Sequence, residues 1–321
     1  MLQKLWRVLL VFVVAFSSCV WAEELQSLEG LLSAQTRLMV FSPHPDDECL
    51  GAAGLIQRVL SLGGQVMVVF MTSGEGFPEG VEKEDHIAHP TAKDFREYGK
   101  ERREEALRAL GVLGLTERDV IFLGFPDGGL CYLIWKFRSD PQAYTSPYSL
   151  ENRPPAFEVL VPHTDYNGRD LKTEMVRVLA AFRPNLLAVT PLEDEHPDHC
   201  ATYYFVKEGL RELGKKGAAI RPTILTFMVH FGQWPVGQGA GTGSRLNPPE
   251  GLPEKAAKWL SLPLRATEAE HKRKAIFKYH TQMLVMGRYL LSFARDNELF
   301  RLEESGQGPA RGMEKIPCCG K

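Results

Sequence analysis

Charge of one sign, cysteine and long apolar runs are all in short supply in this chain. Its 38 Lys and Arg stand against 40 Asp and Glu, a formal net charge of -2. No basic field for a phosphate backbone exists, so nucleic acid is not an expected partner. Six cysteines in 321 residues are too few for a dense disulfide framework. The apolar stretch Val8 to Phe16 falls short of the ~20 residues a spanning helix needs. Internal repeats are also missing, which excludes a solenoid or propeller.

That short apolar stretch has a different meaning. Lys4 and Arg7 precede it, Val20-Trp21-Ala22 closes it with small residues at the −3 and −1 positions, and Glu23-Glu24 follow. The pattern is that of a secretory signal peptide, so export with cleavage near Ala22 is expected, with no transmembrane span in the mature chain. Cleavage removes two cations and leaves 36 basic residues against 40 acidic, net -4. Acylation of Cys19 is the alternative, weakened by Phe16 where a lipoprotein signal favours Leu. Five cysteines then remain; Cys49 and Cys200 read as packing residues, and Cys318-Cys319 as part of a frayed tail.

A hydrophobic fraction of 44% and a charged fraction of 24% suit a globular protein with a sizeable core. Strand-like runs at residues 37–41, 65–71, 120–123, 186–189 and 223–229 alternate with helix-like stretches at 48–62, 93–113, 171–182 and 197–213. This β-α-β-α order predicts an α/β fold, a mostly parallel sheet with helices on both faces. Residues 266–299 read as one long helix or a pair. Residues 128–170 are too long for a simple connection and read as an insertion over the site. Residues 232–253, rich in Gly and Pro, read as a loop. The expected organisation is a signal peptide over 1–22, one domain over 23–302 with long loop insertions, and a tail over 303–321.

Two motifs carry the chemistry. Pro43-His44-Pro45-Asp46-Asp47-Glu48 follows the first strand, and Asp194-Glu195-His196-Pro197-Asp198-His199 follows the run Leu186-Leu187-Ala188-Val189. Ligands gather beyond the carboxyl ends of parallel strands. Facing each other, these loops would offer two imidazoles and an aspartate to a metal, with carboxylates to spare, the makeup of a hydrolytic zinc site. Alone, the first motif could simply cap a helix. His163, His230, His271 and His280 receive no catalytic role, and His280 is expected to pack near the sheet.

These motifs resemble those of the PIG-L/LmbE-like de-N-acetylases, with further echoes at Thr72-Ser73-Gly74-Glu75, Arg102-x-x-Glu105-Ala106, Leu123-Gly124-x-x-Asp127 and Tyr279-His280-Thr281-Gln282. The resemblance spans roughly residues 37–301. It implies a Rossmann-like sheet, a zinc ion (iron(II) or another divalent ion is compatible with the donors) and hydrolysis of an acetamide on a glucosamine-type sugar. Carried over, His44, Asp47 and His199 resemble the metal ligands and Asp46 the general base. His196 resembles the group that protonates the leaving amine or steadies the oxyanion, with Asp198 as its orienting partner. Arg102 and Asp127 resemble substrate contacts. The expected substrate is a glycan, glycolipid or glycoside bearing an N-acetyl amino sugar outside the cytoplasm. An N-acyl glycoside or thiol-conjugate amidase, or a non-catalytic carbohydrate-binding relative, is the alternative.

Overall fold

The computed structural model describes residues 25–84, 86–139, 142–238, 243–252, 258–303 and 319. The expected signal peptide and Cys19 lie outside them. The strands are β1 (Gln26–Ser27), β2 (Arg37–Ser42), β3 (Gln65–Thr72), β4 (Val120–Phe125), β5 (Leu186–Val189), β6 (Thr223–Thr226), β7 (Lys258–Pro263) and β8 (Asn297–Glu303). The helices are α1 (Asp47–Ser61), α2 (Pro78–Glu84), α3 (Ala92–Val112), α4 (Leu130–Trp135), α5 (Gly168–Phe182), α6 (Pro197–Lys215), α7 (Ala266–Ile276) and α8 (His280–Leu291).

One sheet runs β1-β7-β8-β6-β5-β2-β3-β4. Its pairings are parallel except those of β8, which is antiparallel to β6 and β7. Because β2 pairs with both β3 and β5, the chain winds outward in two directions from it. A crevice opens at the carboxyl ends of β2 and β5, where α/β sheets bind ligands. Both motifs begin there.

Side chains alternate across β2, so Leu38 and Val40 join one core and Met39 and Phe41 the other. Burial on both faces explains why this strand reads as a continuous apolar run. Two helices start on polar residues that cap them: Thr91 and Asp94 form a capping box for α3, and Asn167 accepts the N–H of Asp170 at α5. Among the described residues, no helix is long and apolar enough to cross a membrane.

Several expectations change. Residues 266–299 are two helices followed by the start of a strand, because β8 hides a charge pattern that reads as helical. Glu298 in β8 is buried, bonded to Lys272 Nζ at 2.8 Å and accepting the N–H groups of Gly54 and Leu55 at 2.8 and 3.0 Å. A carboxylate so satisfied is tolerated inside. His280 is exposed, while its neighbour Tyr279 is buried on Glu48. The cysteines also differ. Cys131 on α4 is joined to Cys319, which ties that end of the tail to the insertion, and Cys200 is disulfide-bonded too. Only Cys49 behaves as the buried free thiol expected of both motif neighbours.

Candidate metal centre

The loop after β2 is held in an unusual shape. Asp46 has φ 129° and ψ −35°, a region that non-glycine residues avoid and that costs of order 1–3 kcal/mol. Neighbours hold it there. Its N–H meets Glu48 Oε2 at 3.2 Å, its carbonyl accepts the N–H of Cys49 and Leu50, and Thr72 bonds Pro43 O. Arg102 completes the clamp, with Nη1 on Gly74 O and Nη2 on Pro45 O, both at 2.7 Å, and Nη2 3.4 Å from Asp46 Oδ2.

Asp47 opens α1 and turns its carboxylate into the crevice. Its Oδ2 lies 3.2 Å from His44 Nδ1 and 3.1 Å from His199 Nε2, and those two nitrogens are 3.3 Å apart. A tetrahedral ion with bonds of about 2.0 Å has ligand atoms about 3.3 Å apart. These three atoms therefore form one face of such a polyhedron, and the residues could hold a divalent ion. Asp46, next in the chain, keeps its carboxylate on the Arg102 side.

Carboxylates stand behind both imidazoles. His44 Nε2 is 3.1 Å from Asp127 Oδ1 and 3.4 Å from Asp198 Oδ2. His199 Nδ1 is 3.2 Å from Asp194 Oδ1. These carboxylates lie on the side of each ring turned away from the three-atom face, where an outer partner stands behind a ligand imidazole. Asp198 itself is anchored by the N–H groups of Gly128 and Leu130 at the start of α4, at 2.7 and 3.1 Å.

The charges follow from this packing. Burial and the adjacent Asp47 push the Asp46 carboxyl up to about 8, against the pull of Arg102. Burial opposes a charged His199, yet Asp194 and Asp47 hold it up at about 9. His44 likewise lies well above the usual imidazole range despite burial, because Asp127, Asp198 and Asp47 surround it. Asp47 falls well below the usual carboxylate range, its burial outweighed by the two imidazoles.

The structure places four side chains otherwise than the sequence reading expects. Asp198 directs its carboxylate at His44, not at His196; what His196 Nδ1 accepts is the Asp198 main-chain N–H at 3.3 Å, as the N-cap of α6. His196 is also held well below its ordinary pKa, by burial and then by His44, His199 and His230, which favours a neutral ring. Arg102 and Asp127 were expected on substrate. Both are buried, Arg102 clamping the Asp46 loop and Asp127 on His44 with its other oxygen taking the Gly76 N–H at 2.8 Å. Closure of an α/β crevice spends such groups internally.

One imidazole escaped the sequence reading. His230, just past β6, has its ring 4.9 Å from that of His199 and 5.4 Å from that of His196, centroid to centroid. The available signal was its place, directly after a strand-like run.

The fold is an open, mostly parallel α/β sheet whose switch point brings two imidazoles and an aspartate within reach of one ion. The chain matches the family PIG-L, GlcNAc-PI de-N-acetylase, over residues 39–210, and it is a member of that family. A 1D-myo-inositol 2-acetamido-2-deoxy-alpha-D-glucopyranoside deacetylase of Kribbella flavida is 30% identical over 172 residues, 51% of this chain and 50% of that protein. Its counterpart in Nakamurella multipartita is 32% identical over 200 residues, 59% and 61% of the two chains. The chain thus spans half to three-fifths of the length of these relatives. Among solved structures, a teicoplanin deacetylase in a zinc-inhibited form has a TM-score of 0.52 at 17% identity, covering 85% of this chain and all of that one. A 4-carboxy-2-hydroxymuconate hydratase from Pseudomonas putida reaches 0.50 at 17%, covering 81% and 83%. At such identities the likeness is one of fold, and one fold serves more than one reaction.

Proposed function

We propose that this protein is a metal-dependent de-N-acetylase that hydrolyses the acetamide of an N-acetylglucosamine-containing glycan, glycolipid or glycoside. The observation that carries the reading is the face formed by His44 Nδ1, Asp47 Oδ2 and His199 Nε2, with edges of 3.1 to 3.3 Å and Asp46 beside it. Family membership and the deacetylase relatives support the same reaction.

His44, Asp47 and His199 would hold the ion, zinc by preference and iron(II) as the alternative suited to the same donors. When bound, such an ion polarises the acetamide carbonyl and makes water acidic enough to attack near neutral pH. Asp46 receives the proton of the attacking water. Its metal-free value of about 8 falls when a cation sits beside it, since positive charge favours the carboxylate. Neutral His196, with Nδ1 filled by the Asp198 N–H, carries its proton on Nε2 and donates it toward the oxygen that gains charge. Arg102 positions Asp46, while Asp127 and Asp198 orient His44. For the rest of the substrate, Glu75 links the site to a cavity of about 500 Å³ between α3 and the insertion. Glu75 lines that cavity and accepts the Asp127 N–H at 3.1 Å, and a volume of this order holds a sugar-sized group.

Export is part of the proposal. The Cys131–Cys319 bond suits an oxidising compartment, and the first 22 residues have the pattern of a signal peptide.

The test is acetate release from a panel of N-acetylglucosamine glycosides and glycolipids. Activity abolished by a chelator and restored by zinc is the expected result; binding without acetate release across the panel would favour a non-catalytic relative.

A pH dependence follows from the site. Without metal, His199 keeps its proton to about 9 and His44 is held well above the usual imidazole range, and a ligand imidazole must lose its proton to bind. Ion uptake at pH 7 is expected to release up to three protons per ion, one from each imidazole and one from Asp46 as the cation draws its carboxyl down from about 8. Affinity should therefore rise with pH below about 9 and fall as the solution is acidified. Calorimetric titration in buffers of different ionisation enthalpy counts those protons; release of none would contradict the assignment.

A further inference from the structure

Tyrosines of the long insertion cover the backbone beside the metal centre. A methyl group at Gly76 would come within 2.8 Å of the Tyr148 ring, and one at Gly129 within 2.8 Å of the Tyr144 ring. Only residues without a side chain let the rings lie so close. The same backbone holds the carboxylates behind His44. The Gly76 N–H binds Asp127 and the Gly128 N–H binds Asp198, and both acids reach His44 Nε2. Tyr144 and Tyr148 are thereby fixed next to the proposed centre.

Tyr132 on α4 extends this wall outward. Its ring stacks on Tyr144, with centroids 5.3 Å apart and planes 13° from parallel, and Phe95 backs Tyr148 at 5.3 Å. Tyr144 is buried but Tyr132 is 52% exposed, so one face of Tyr132 rests on its neighbour and the other is open. Among the described residues, nothing hydrogen-bonds to the hydroxyls of Tyr132, Tyr144 or Tyr148. Burial pushes the Tyr144 hydroxyl up to about 12, with Tyr132, Asp198, Tyr148 and Glu75 adding to it. Burial, then Asp127, Glu79, Asp198 and Tyr132, raise that of Tyr148. Both stay neutral, able to donate and to accept. A flat apolar face bordered by free hydroxyls suits a pyranose, which presents C–H groups on one side and hydroxyls at its rim. An acyl chain gains most from an enclosed apolar slot, which an open ring face does not offer.

We propose that Tyr132, Tyr144 and Tyr148 form a subsite for a second pyranose ring, which makes an oligosaccharide, rather than a single sugar or a lipid glycoside, the preferred substrate. The inference rests on the reading of the centre as a sugar de-N-acetylase and names the substrate class for it. Tyr132 supplies the stacking face, Tyr144 holds that face in place, and the hydroxyls meet the rim of the ring. Rings already packed against backbone and against each other lose little freedom on binding.

Binding and turnover test this separately. Calorimetry on the full, zinc-loaded chain carrying Asp46→Asn, so that sugars survive, compares N-acetylglucosamine, its β-1,4-linked di- and trisaccharide, and its octyl glycoside. The oligosaccharides are expected to bind about tenfold tighter than the monosaccharide, the scale of one aromatic contact, and the octyl glycoside to show no such gain. Adding Tyr132→Ala should abolish the gain, while Tyr132→Phe, which keeps the ring face, should retain most of it. Tyr132→Leu, with apolar bulk but no flat ring, serves if Tyr132→Ala fails to fold. In the wild-type enzyme, the ratio of kcat/KM for the trisaccharide to that for the monosaccharide should be raised through KM and fall about tenfold in Tyr132→Ala. Equal affinity for one ring and three, a gain that survives loss of the Tyr132 ring, a gain shown by the octyl glycoside instead, or no binding of any of these sugars would overturn the subsite. Acetate release without the oligosaccharide gain would remove the subsite and leave the reaction standing; the gain without acetate release would do the reverse.

Discussion

Replacing Asp46 by Asn is expected to cut acetate release by about 10²–10⁴-fold, the range a positioned proton acceptor contributes, while the bound ion remains. The argument is geometric before it is chemical. Asp47 supplies the oxygen that meets both imidazoles, so Asp46 is not needed to complete the donor face. Asp46 instead occupies a backbone conformation that only a dense set of neighbours could maintain, and such strain persists where surrounding structure enforces it. Asn has nearly the same shape and can keep the 3.4 Å approach to Arg102 through its amide oxygen, but it cannot accept a proton. Metal content and single-turnover rate, measured on the same preparation, separate the two roles. An active Asp46→Asn variant would remove Asp46 as the base; an inactive variant lacking metal would make it a ligand.

The second large effect concerns the donors. His199→Ala removes one corner of the face and leaves Asp47 and Asp194 buried without their shared partner. Loss of an outer partner costs about 10–100-fold in metal affinity; loss of a ligand is expected to exceed that. Activity should disappear at ordinary zinc concentrations and return in part at high zinc. Asp47→Ala should behave alike, with a further cost to the start of α1, because Asp47 Oδ2 also accepts the His44 N–H at 3.0 Å. Equilibrium dialysis against buffered zinc measures both variants. Affinity within a few-fold of wild type in either would place the ion elsewhere.

Legibility from the sequence divided along physical lines. Strands buried on both faces, such as Leu186–Val189, announced themselves as short apolar runs, and helices such as α3 through apolar spacing and a cap. Strand β8 did not, because its Glu298 is neutralised by Lys272 from a distant helix, and no local pattern encodes a partner 26 residues away. That His44, Asp47 and His199 would converge was readable because each lies in a polar motif that follows a strand. The outer contacts were not. Asp127 and Asp198 converge on His44 from the loop after β4 and from the first turn of α6, and their assignment to substrate or to His196 came from resemblance, which passes on residue types more reliably than the direction in which a side chain points. His230 had no motif around it, so its position emerged only once β6 was seated beside β5. The disulfide to Cys319 was hidden for a similar reason: 188 residues separate its partners.

The most direct test is an anomalous-difference map from crystals grown with zinc. The account predicts a single strong peak about 2.0 Å from His44 Nδ1, Asp47 Oδ2 and His199 Nε2, with the Asp46 carboxylate outside bonding distance. A peak that omits any of those three atoms, or one bonded to Asp46, would contradict it.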